Sequence, residues 1–218
     1  MTKIFFHGFI VRMKTDKISF GANPLNRIKI KKYNSIEKRF ENYPVRFVRL
    51  ENKYSDISVV DRAAVEWEDA KYIKRIASSS HWMNIRDDVE IDVYALTTQQ
   101  NNFDELIFDK ILGFAEIRND ANNRKKRILN RLQVRPDAIN LGNPHNKKFK
   151  HIGCSILKSL KKIYNNLHLE SENILTDEFY MANGFIQDNV RYGSFEWQSN
   201  IFKRLYLRYK YSRGMLGY

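Results

Sequence analysis

The chain has 218 residues, of which 43% are hydrophobic, and its formal net charge is +13 at pH 7. This length and apolar content suffice for one packed domain, with or without an extension. No apolar run approaches the roughly 20 residues of a membrane span, and His7 and Arg12 interrupt the N-terminal apolar stretch, which makes a poor signal peptide. A single cysteine cannot form an internal disulfide. We therefore expect a soluble cytoplasmic protein.

The positive charge is concentrated near the two ends of the sequence. Residues 1–46 carry 11 Lys and Arg against three acids, and residues 203–218 carry five against none. We divide the chain into a basic N-terminal extension, residues 1–46, whose fold the pattern leaves open, and a main domain, residues 47–218. Such charge attracts polyanions, so nucleic acid is a candidate partner. The five His and one Cys show no metal-ligand spacing, and we expect no metal.

Two strands and a helix are predicted in the first third of the chain. Residues 27–32 alternate like an exposed edge strand that its Lys residues protect from aggregation. Residues 44–50 alternate as a second strand. Asp61 can cap a helix over residues 61–76, whose apolar side chains recur at helical spacing on one face.

Sheet and helix signals continue to the end of the chain. Strands are predicted over residues 90–96, 111–117, 127–134, 167–170 and 190–197. A helix that begins at Gly153 carries one apolar stripe, and a helix over residues 173–183 has Gly184 at its C-terminal cap. Residues 201–211 fit either a strand or an amphipathic helix, of which we favour the strand.

The last third also carries the residues with the clearest chemistry. A basic loop that begins at Lys148 reaches Gly153 and passes directly into a helix, whose free N–H groups and partial positive charge suit a phosphate. Downstream, Tyr180 offers a phenol that can give up or take a proton. A phosphate cradle followed by a tyrosine indicates group transfer from a phosphate-bearing cofactor.

These segments resemble the GNAT family of acyl-CoA-dependent N-acetyltransferases. The family's pyrophosphate loop reads roughly Gln/Arg-x-x-Gly-x-Gly/Ala, and Lys148, His151 and Gly153 occupy the three defined positions. The family motif Phe-Tyr-x-x-x-Gly-Phe matches residues 179–185 without a gap. The resemblance covers about residues 85–195.

The resemblance implies an α/β (α+β) fold in which a mixed, mostly antiparallel sheet is flanked by helices and two parallel strands splay apart at the acyl-CoA site. It implies an enzyme that transfers an acetyl or other acyl group from acyl-CoA, with acetyl-CoA as cofactor, to an amine. It also implies cofactor-binding residues on the strand before the loop and in the loop itself. These are Leu132, Gln133, Val134, Lys148, Lys150, His151, Ile152, Gly153 and Cys154.

Two residues are candidates for proton transfer. By the resemblance, Tyr180 protonates the departing CoA thiolate, and Glu116, on a strand beside the core, is a candidate base that acts through water. Asp137, His145 and His81 are further candidates for the base.

His151 and Cys154 need separate comment. His151 places a side chain where the family usually has glycine, which is costly if the backbone there needs a positive φ. Cys154 lies at a helix N-terminus, which lowers a thiol's pKa. Because no Cys/His/Asp constellation is evident, we interpret Cys154 as a small packing residue.

The acceptor and one alternative function stay open. The basic ends fit an amine that is linked to nucleic acid, such as aminoacyl-tRNA, and a protein or small amine also fits the chemistry. The alternative is a catalytically inactive GNAT-like module that binds nucleic acid or a protein. In that reading residues 206–211, with interleaved Tyr, Arg and Lys, contact phosphates and stack on bases, or residues 1–46 dock a partner or a second copy in a homodimer.

Overall fold

The computed structural model describes residues 22–51, 54–67, 90–120, 123–136, 148–171, 174–188 and 191–213, to which all structural statements refer. The strands are β1 (Asn23–Asn34), β2 (Arg39–Arg49), β3 (Ile91–Thr97), β4 (Ile111–Asp120), β5 (Asn123–Val134), β6 (Phe149–Lys150), β7 (Asn166–Glu170), β8 (Ile186–Gln187) and β9 (Ser194–Gln198). The α-helices are α1 (Tyr54–Glu66), α2 (Ile152–Ile163), α3 (Ile174–Ala182) and α4 (Ile201–Arg213).

The described strands form one sheet in the order β6-β1-β2-β3-β4-β5-β7-β9-β8. Each pair of neighbours is antiparallel except β5 and β7, which are parallel. The β5–β7 pairing registers at Ile128 opposite His168, so the remainder of β5, up to Val134, diverges from β7. The predicted fold class is therefore confirmed, and the splayed parallel strands are present.

Two hydrophobic clusters cover the two faces of this sheet. On one face, Ile156, Leu157 and Leu160 of α2 are fully buried against β-strand residues such as Phe47 and Leu112. On the other face, the apolar side of α1 packs on a second cluster. Burial of the apolar faces of α1 and α2 stabilises helices whose intrinsic helix propensity is modest. The packing of α2 on the sheet also fixes where α2 begins relative to the end of β5.

The predicted strand over residues 201–211 is wrong, because this segment forms α4. Asn200 caps the helix, and its side-chain oxygen accepts the backbone N–H groups of Phe202 and Lys203 at 2.8 and 3.3 Å. Leu207 and Tyr211, four residues apart, are its buried side chains. The alternation of apolar and charged residues resembled a strand, but burial follows the helical period.

Two further boundaries differ from the sequence predictions. Helix α1 begins at Tyr54 rather than Asp61, and residues 68–76 of the predicted helix lie outside the described residues. Asp56, fully buried in the first turn, accepts the backbone N–H of Glu51 at 2.7 Å, which favours the earlier start. Strand β1 pairs with β2 along its length and with the two-residue β6 at Lys31 and Lys32, so among the described strands it lies one place in from the edge of the sheet.

The boundary predicted between residues 46 and 47 falls inside β2, so residues 22–46 belong to the same sheet as the main domain. Three of the candidate bases, His81, Asp137 and His145, lie outside the described residues. Within the described ranges, none of the helices has the length and hydropathy to cross a bilayer.

Candidate active site

A cavity of about 640 Å³ opens where β5, β6, the N-terminus of α2 and the middle of α3 meet. Eight of the nine predicted cofactor-binding residues line it, together with Tyr180. The ninth, Lys148, is exposed just before β6, and its carbonyl accepts the backbone N–H of Tyr33 at 2.9 Å. The lining consists of Leu132, Gln133, Val134, Phe149, Lys150, His151, Ile152, Gly153, Cys154, Thr176, Phe179 and Tyr180.

The first three residues of α2 line this cavity. The first hydrogen bond of the helix runs from the Ser155 N–H to the His151 carbonyl at 3.0 Å. The N–H groups of Ile152, Gly153 and Cys154 precede it and therefore have no acceptor within the helix. Three such donors at the positive end of a helix dipole suit an anion such as a phosphate.

His151 makes the turn from β6 into α2 in a left-handed conformation, with φ 66° and ψ 23°. An L-residue in this region costs roughly 1–2 kcal/mol, although His is among the residues that tolerate it. The positive φ that glycine would accommodate without strain is therefore present. The His151 side chain is exposed, and the strain lies in the backbone beneath it.

Gly153 permits a close approach between α2 and α3. A Cβ at this position would lie 3.0 Å from Cζ of Phe179 and 3.8 Å from a methyl group of Val134. The absence of a side chain lets the Phe179 ring lie against the first turn of α2, where it forms one wall of the cavity.

Tyr180 sits beside Phe179 on α3, half-buried, with its ring in an aromatic group. Its ring centroid lies 5.2 Å from that of Phe179, 5.7 Å from Phe185 and 6.1 Å from Phe195. Gly184 ends the helix with φ 78°, and the Phe185 N–H bonds back to the Tyr180 carbonyl at 3.1 Å, which confirms the predicted glycine cap.

Asn183 and Lys161 connect α3 to α2, and the sequence analysis assigned a role to neither. The Asn183 amide donates to the Phe179 carbonyl at 2.8 Å and to the Cys154 sulfur at 3.6 Å. The Lys161 ammonium donates to the Asn183 carbonyl and lies 4.5 Å from the centre of the Phe185 ring. Burial, with a smaller contribution from nearby Arg204, lowers the Lys161 pKa to about 8. The position of Asn183 directly before the capping Gly184 is the one sequence feature that could have indicated its contact with α2.

A second polar group fixes the far end of α2. Tyr164 follows the helix and donates a hydrogen bond to Asp92 at 2.6 Å, and the Tyr94 hydroxyl lies 2.6 Å from the Tyr164 oxygen. Because the Tyr164 proton points to Asp92, Tyr94 donates to Tyr164. Asp92 also pairs with Arg49. Burial raises the pKa of Tyr94 to about 12 and raises that of Tyr164 further. This network ties α2 to β3 and so holds its N-terminus in place.

Glu116 does not line the cavity. It lies opposite Val93 in the β3–β4 pairing, on the face covered by α1, and only 1% of its surface is exposed. Its carboxylate accepts a hydrogen bond from the side chain of Asn130, which belongs to the diverging part of β5. Glu116 therefore reaches the splayed strand from the face opposite α2.

No protein-family model matches the chain, and no curated protein matches it. Among solved structures, a protein from Desulfovibrio desulfuricans that is described as a GNAT-family acetyltransferase is 14% identical over 72% of this chain and 99% of its own, with a TM-score of 0.44. AtaT in complex with acetyl-methionyl-tRNAfMet is 11% identical over 74% of this chain and 99% of its own, with a TM-score of 0.49. AtaTR bound with AcCoA is 13% identical over 74% of this chain and 98% of its own, with a TM-score of 0.48. The functional proposals below are supported by the residues of this chain.

Proposed function

We propose that this protein is an N-acyltransferase that transfers an acetyl or other acyl group from acyl-CoA to an amine. The observation that supports this most strongly is that one cavity is bounded by the end of β5, by the first three residues of α2, whose N–H groups have no acceptor within the helix, and by Tyr180. One end of this cavity suits a phosphate, and a phenol stands on its α3 wall. The site residues fit an elongated ligand that carries a pyrophosphate.

Each wall of the cavity has a distinct role in the proposal. The N–H groups of Ile152, Gly153 and Cys154 bind the pyrophosphate, and Lys148 and Lys150 add positive charge beside them. Residues 132–134, beyond the point where β5 leaves β7, orient the pantetheine arm by their backbone. Phe179 and its neighbours exclude water. Acyl-CoA, when bound, supplies an activated thioester.

Proton transfer is assigned to two residues on opposite faces of the sheet. The reaction forms an amide C–N bond and breaks the thioester C–S bond, and the departing sulfur takes a proton. Tyr180 holds that proton at its phenolic oxygen. Glu116 is the proposed base, as the resemblance implies; its buried carboxylate is not in the cavity and would act through water from the Glu116–Asn130 pair.

Tyr180→Phe tests the assignment of the proton donor with little change in packing, because the ring contacts remain. Release of CoA thiol from acetyl-CoA would be measured with aminoacyl-tRNA, basic proteins and polyamines as acceptors. We expect turnover to fall about 10²–10⁴-fold, the usual contribution of a positioned acid, while acetyl-CoA binding changes less than about twofold. Near-normal turnover would remove Tyr180 from the mechanism.

The acceptor that we favour is an amine linked to nucleic acid, such as aminoacyl-tRNA. The net charge of +13 supports this choice, since a cationic surface concentrates an anionic substrate near the site. A protein amine is the competing acceptor. Activity on charged tRNA that falls steeply with salt would support the first, and activity on basic proteins alone would support the second.

A further inference from the structure

One face of the β6–β1–β2 edge carries five cations, with Asn42 and Pro44 between them on β2. Ile28 and Ile30 of β1 point to the cluster beneath α2, so strand alternation turns the residues between and beside them to the opposite face. Their partners on β2 and β6 follow by register. We call this set the β1 basic face, and it comprises Arg27, Lys29, Lys31, Arg46 and Lys150.

Like charges lie directly opposite each other on the β1 basic face. Arg27 pairs across the strands with Arg46, and Lys31 pairs with Lys150. Such pairs destabilise a sheet, and opposite charges are the usual arrangement. Among the described residues, none of the five cations has an ion pair with an acid. Repulsion between these cations therefore lowers the stability of the sheet. This is the cost expected of a surface whose charge is neutralised by a bound polyanion.

Arg46 lacks both a hydrogen-bond acceptor for one of its nitrogens and a neighbouring negative charge among the described residues. Its Nε is buried and has no hydrogen-bond acceptor among the described residues. Burial, and the charge of Arg27 opposite it, lower the Arg46 pKa. An external anion beside the exposed part of the Arg46 guanidinium would supply the missing opposite charge.

The β1 basic face ends at a pair of aromatic rings. Tyr33 and Phe40 lie opposite each other on the same face, with ring centroids 5.3 Å apart. The Lys150 ammonium stands 3.8 Å from the centre of the Phe40 ring. Cations that follow a strand and lead to aromatic rings are the combination by which proteins bind single-stranded nucleic acid.

We propose that the β1 basic face binds a single-stranded stretch of RNA. Along β1, side chains of one face recur about every 6.6 Å, and those of a neighbouring strand lie about 4.8 Å away, so the five cations cover an open surface wider than one small anion. A sheet face is too broad for the deep, narrow major groove of duplex RNA, whereas sheets do receive unpaired bases. Lys150 belongs both to this face and to the cavity, so bound RNA would lie beside the proposed active site. The binding itself does not depend on acyl transfer.

The test compares two double variants of equal charge. Lys29→Glu/Lys31→Glu reverses two cations of the β1 basic face, and Lys158→Glu/Lys162→Glu reverses two exposed cations on α2. Neither pair belongs to the cavity lining. Fluorescence anisotropy would follow a labelled mixed-sequence RNA of about 20 nucleotides, which exceeds the ~4–16 nucleotides of one typical binding site. Duplex RNA, DNA of the same sequence and an acidic peptide serve as competitors.

We expect the wild type and the α2 variant to bind the single strand similarly. The β1 variant should bind at least about tenfold more weakly and should show a salt slope about 1.4 units shallower, because two phosphate contacts are lost. Equal losses in both variants, no binding at about 50 mM salt, or stronger competition by duplex, DNA or peptide would overturn the proposal.

Two further readouts separate this result from misfolding and from the cofactor site. The β1 variant should unfold no earlier than the wild type, because Lys31→Glu places an opposite charge across from Lys150, and the α2 variant should remain folded at the temperature of the binding assay. Acetyl-CoA affinity should stay within about twofold in both. A β1 variant that loses acetyl-CoA and RNA together would assign these cations to CoA and refute a separate RNA surface.

Discussion

Replacing Gly153 with alanine tests the cavity wall formed by α2 and α3. The new Cβ would lie 3.0 Å from Cζ and 3.4 Å from Cε2 of Phe179. Carbon atoms in favourable contact are about 3.5–4.0 Å apart, so the ring must retreat by roughly 0.5–1 Å. Phe179 packs against Tyr180 and lines the cavity, so its displacement changes both the cavity and the proposed acid.

Two opposing effects set the size of the stability change. Overpacking of this kind costs about 1–3 kcal/mol, and alanine in a helix regains about 1 kcal/mol relative to glycine. We therefore expect a small net loss of stability, between about 0 and 2 kcal/mol. Binding should also weaken, because the displaced ring narrows the site. We expect the acetyl-CoA affinity to fall about tenfold, which corresponds to about 1.4 kcal/mol.

Calorimetric titration with acetyl-CoA measures this effect, and two variants control it. Cys154→Ala changes the next residue of the same turn without adding bulk, and it should bind normally. Gly153→Ala combined with Phe179→Leu removes the clash and should recover most of the lost affinity. If Gly153→Ala binds acetyl-CoA as tightly as the wild type, the cavity is not the cofactor site or Phe179 is not its wall.

Three further predictions concern the backbone and the buried polar groups. His151→Gly should raise the free energy of unfolding by about 0.5–1 kcal/mol in a denaturant titration, since glycine adopts the left-handed conformation without strain; a loss of stability would show that the His151 side chain makes a stabilising contact. Tyr164→Phe should lower the free energy of unfolding by about 1–3 kcal/mol, because Tyr94 and Asp92 both lose their hydrogen-bond partner. Tyr94→Phe should lower the free energy of unfolding by less. Equal effects of the two substitutions would contradict the inferred direction of donation. Lys161 has a folded pKa of about 8, below the roughly 10.4 of an unfolded lysine, so the unfolded chain binds more protons above about pH 8 and stability should rise as pH increases from about 8 to about 9. Above about pH 9 the tyrosines of the unfolded chain begin to ionise, and the raised folded pKa values of Tyr94 and Tyr164 oppose the rise. Lys161→Met should remove this rise, and an unchanged pH profile in that variant would rule out Lys161 as its source.

The residues that line the cavity could be predicted because their signals are local. The left-handed turn at His151 that leads into α2 and the glycine cap after Tyr180 depend on backbone conformations that few residues adopt, and both are present in the structure. Strand periodicity likewise located β3, β4, β5 and β7 to within a few residues.

The remaining features depend on contacts between distant segments. The sequence of α4 alternates like that of a strand, and only the burial of Leu207 and Tyr211 in the folded protein shows the helical period. The Asp92–Tyr164 bond joins residues 72 positions apart, which no local pattern reveals. Glu116 was chosen for its strand, but the face on which it lies depends on the β3–β4 register. The like-charged pairs of the β1 basic face depend on the registers that place β2 and β6 on either side of β1.

The central claim is that the cavity at the N-terminus of α2 binds acyl-CoA, and calorimetric titration of the full chain with acetyl-CoA, with free CoA alongside, tests it most directly. The account predicts one site per chain with a dissociation constant of about 1–100 µM, within the range usual for enzyme substrates, and weaker binding in Gly153→Ala but not in Cys154→Ala. The absence of binding to either ligand at about 1 mM would contradict the claim, and the cavity would then belong to a fold that does not use the cofactor.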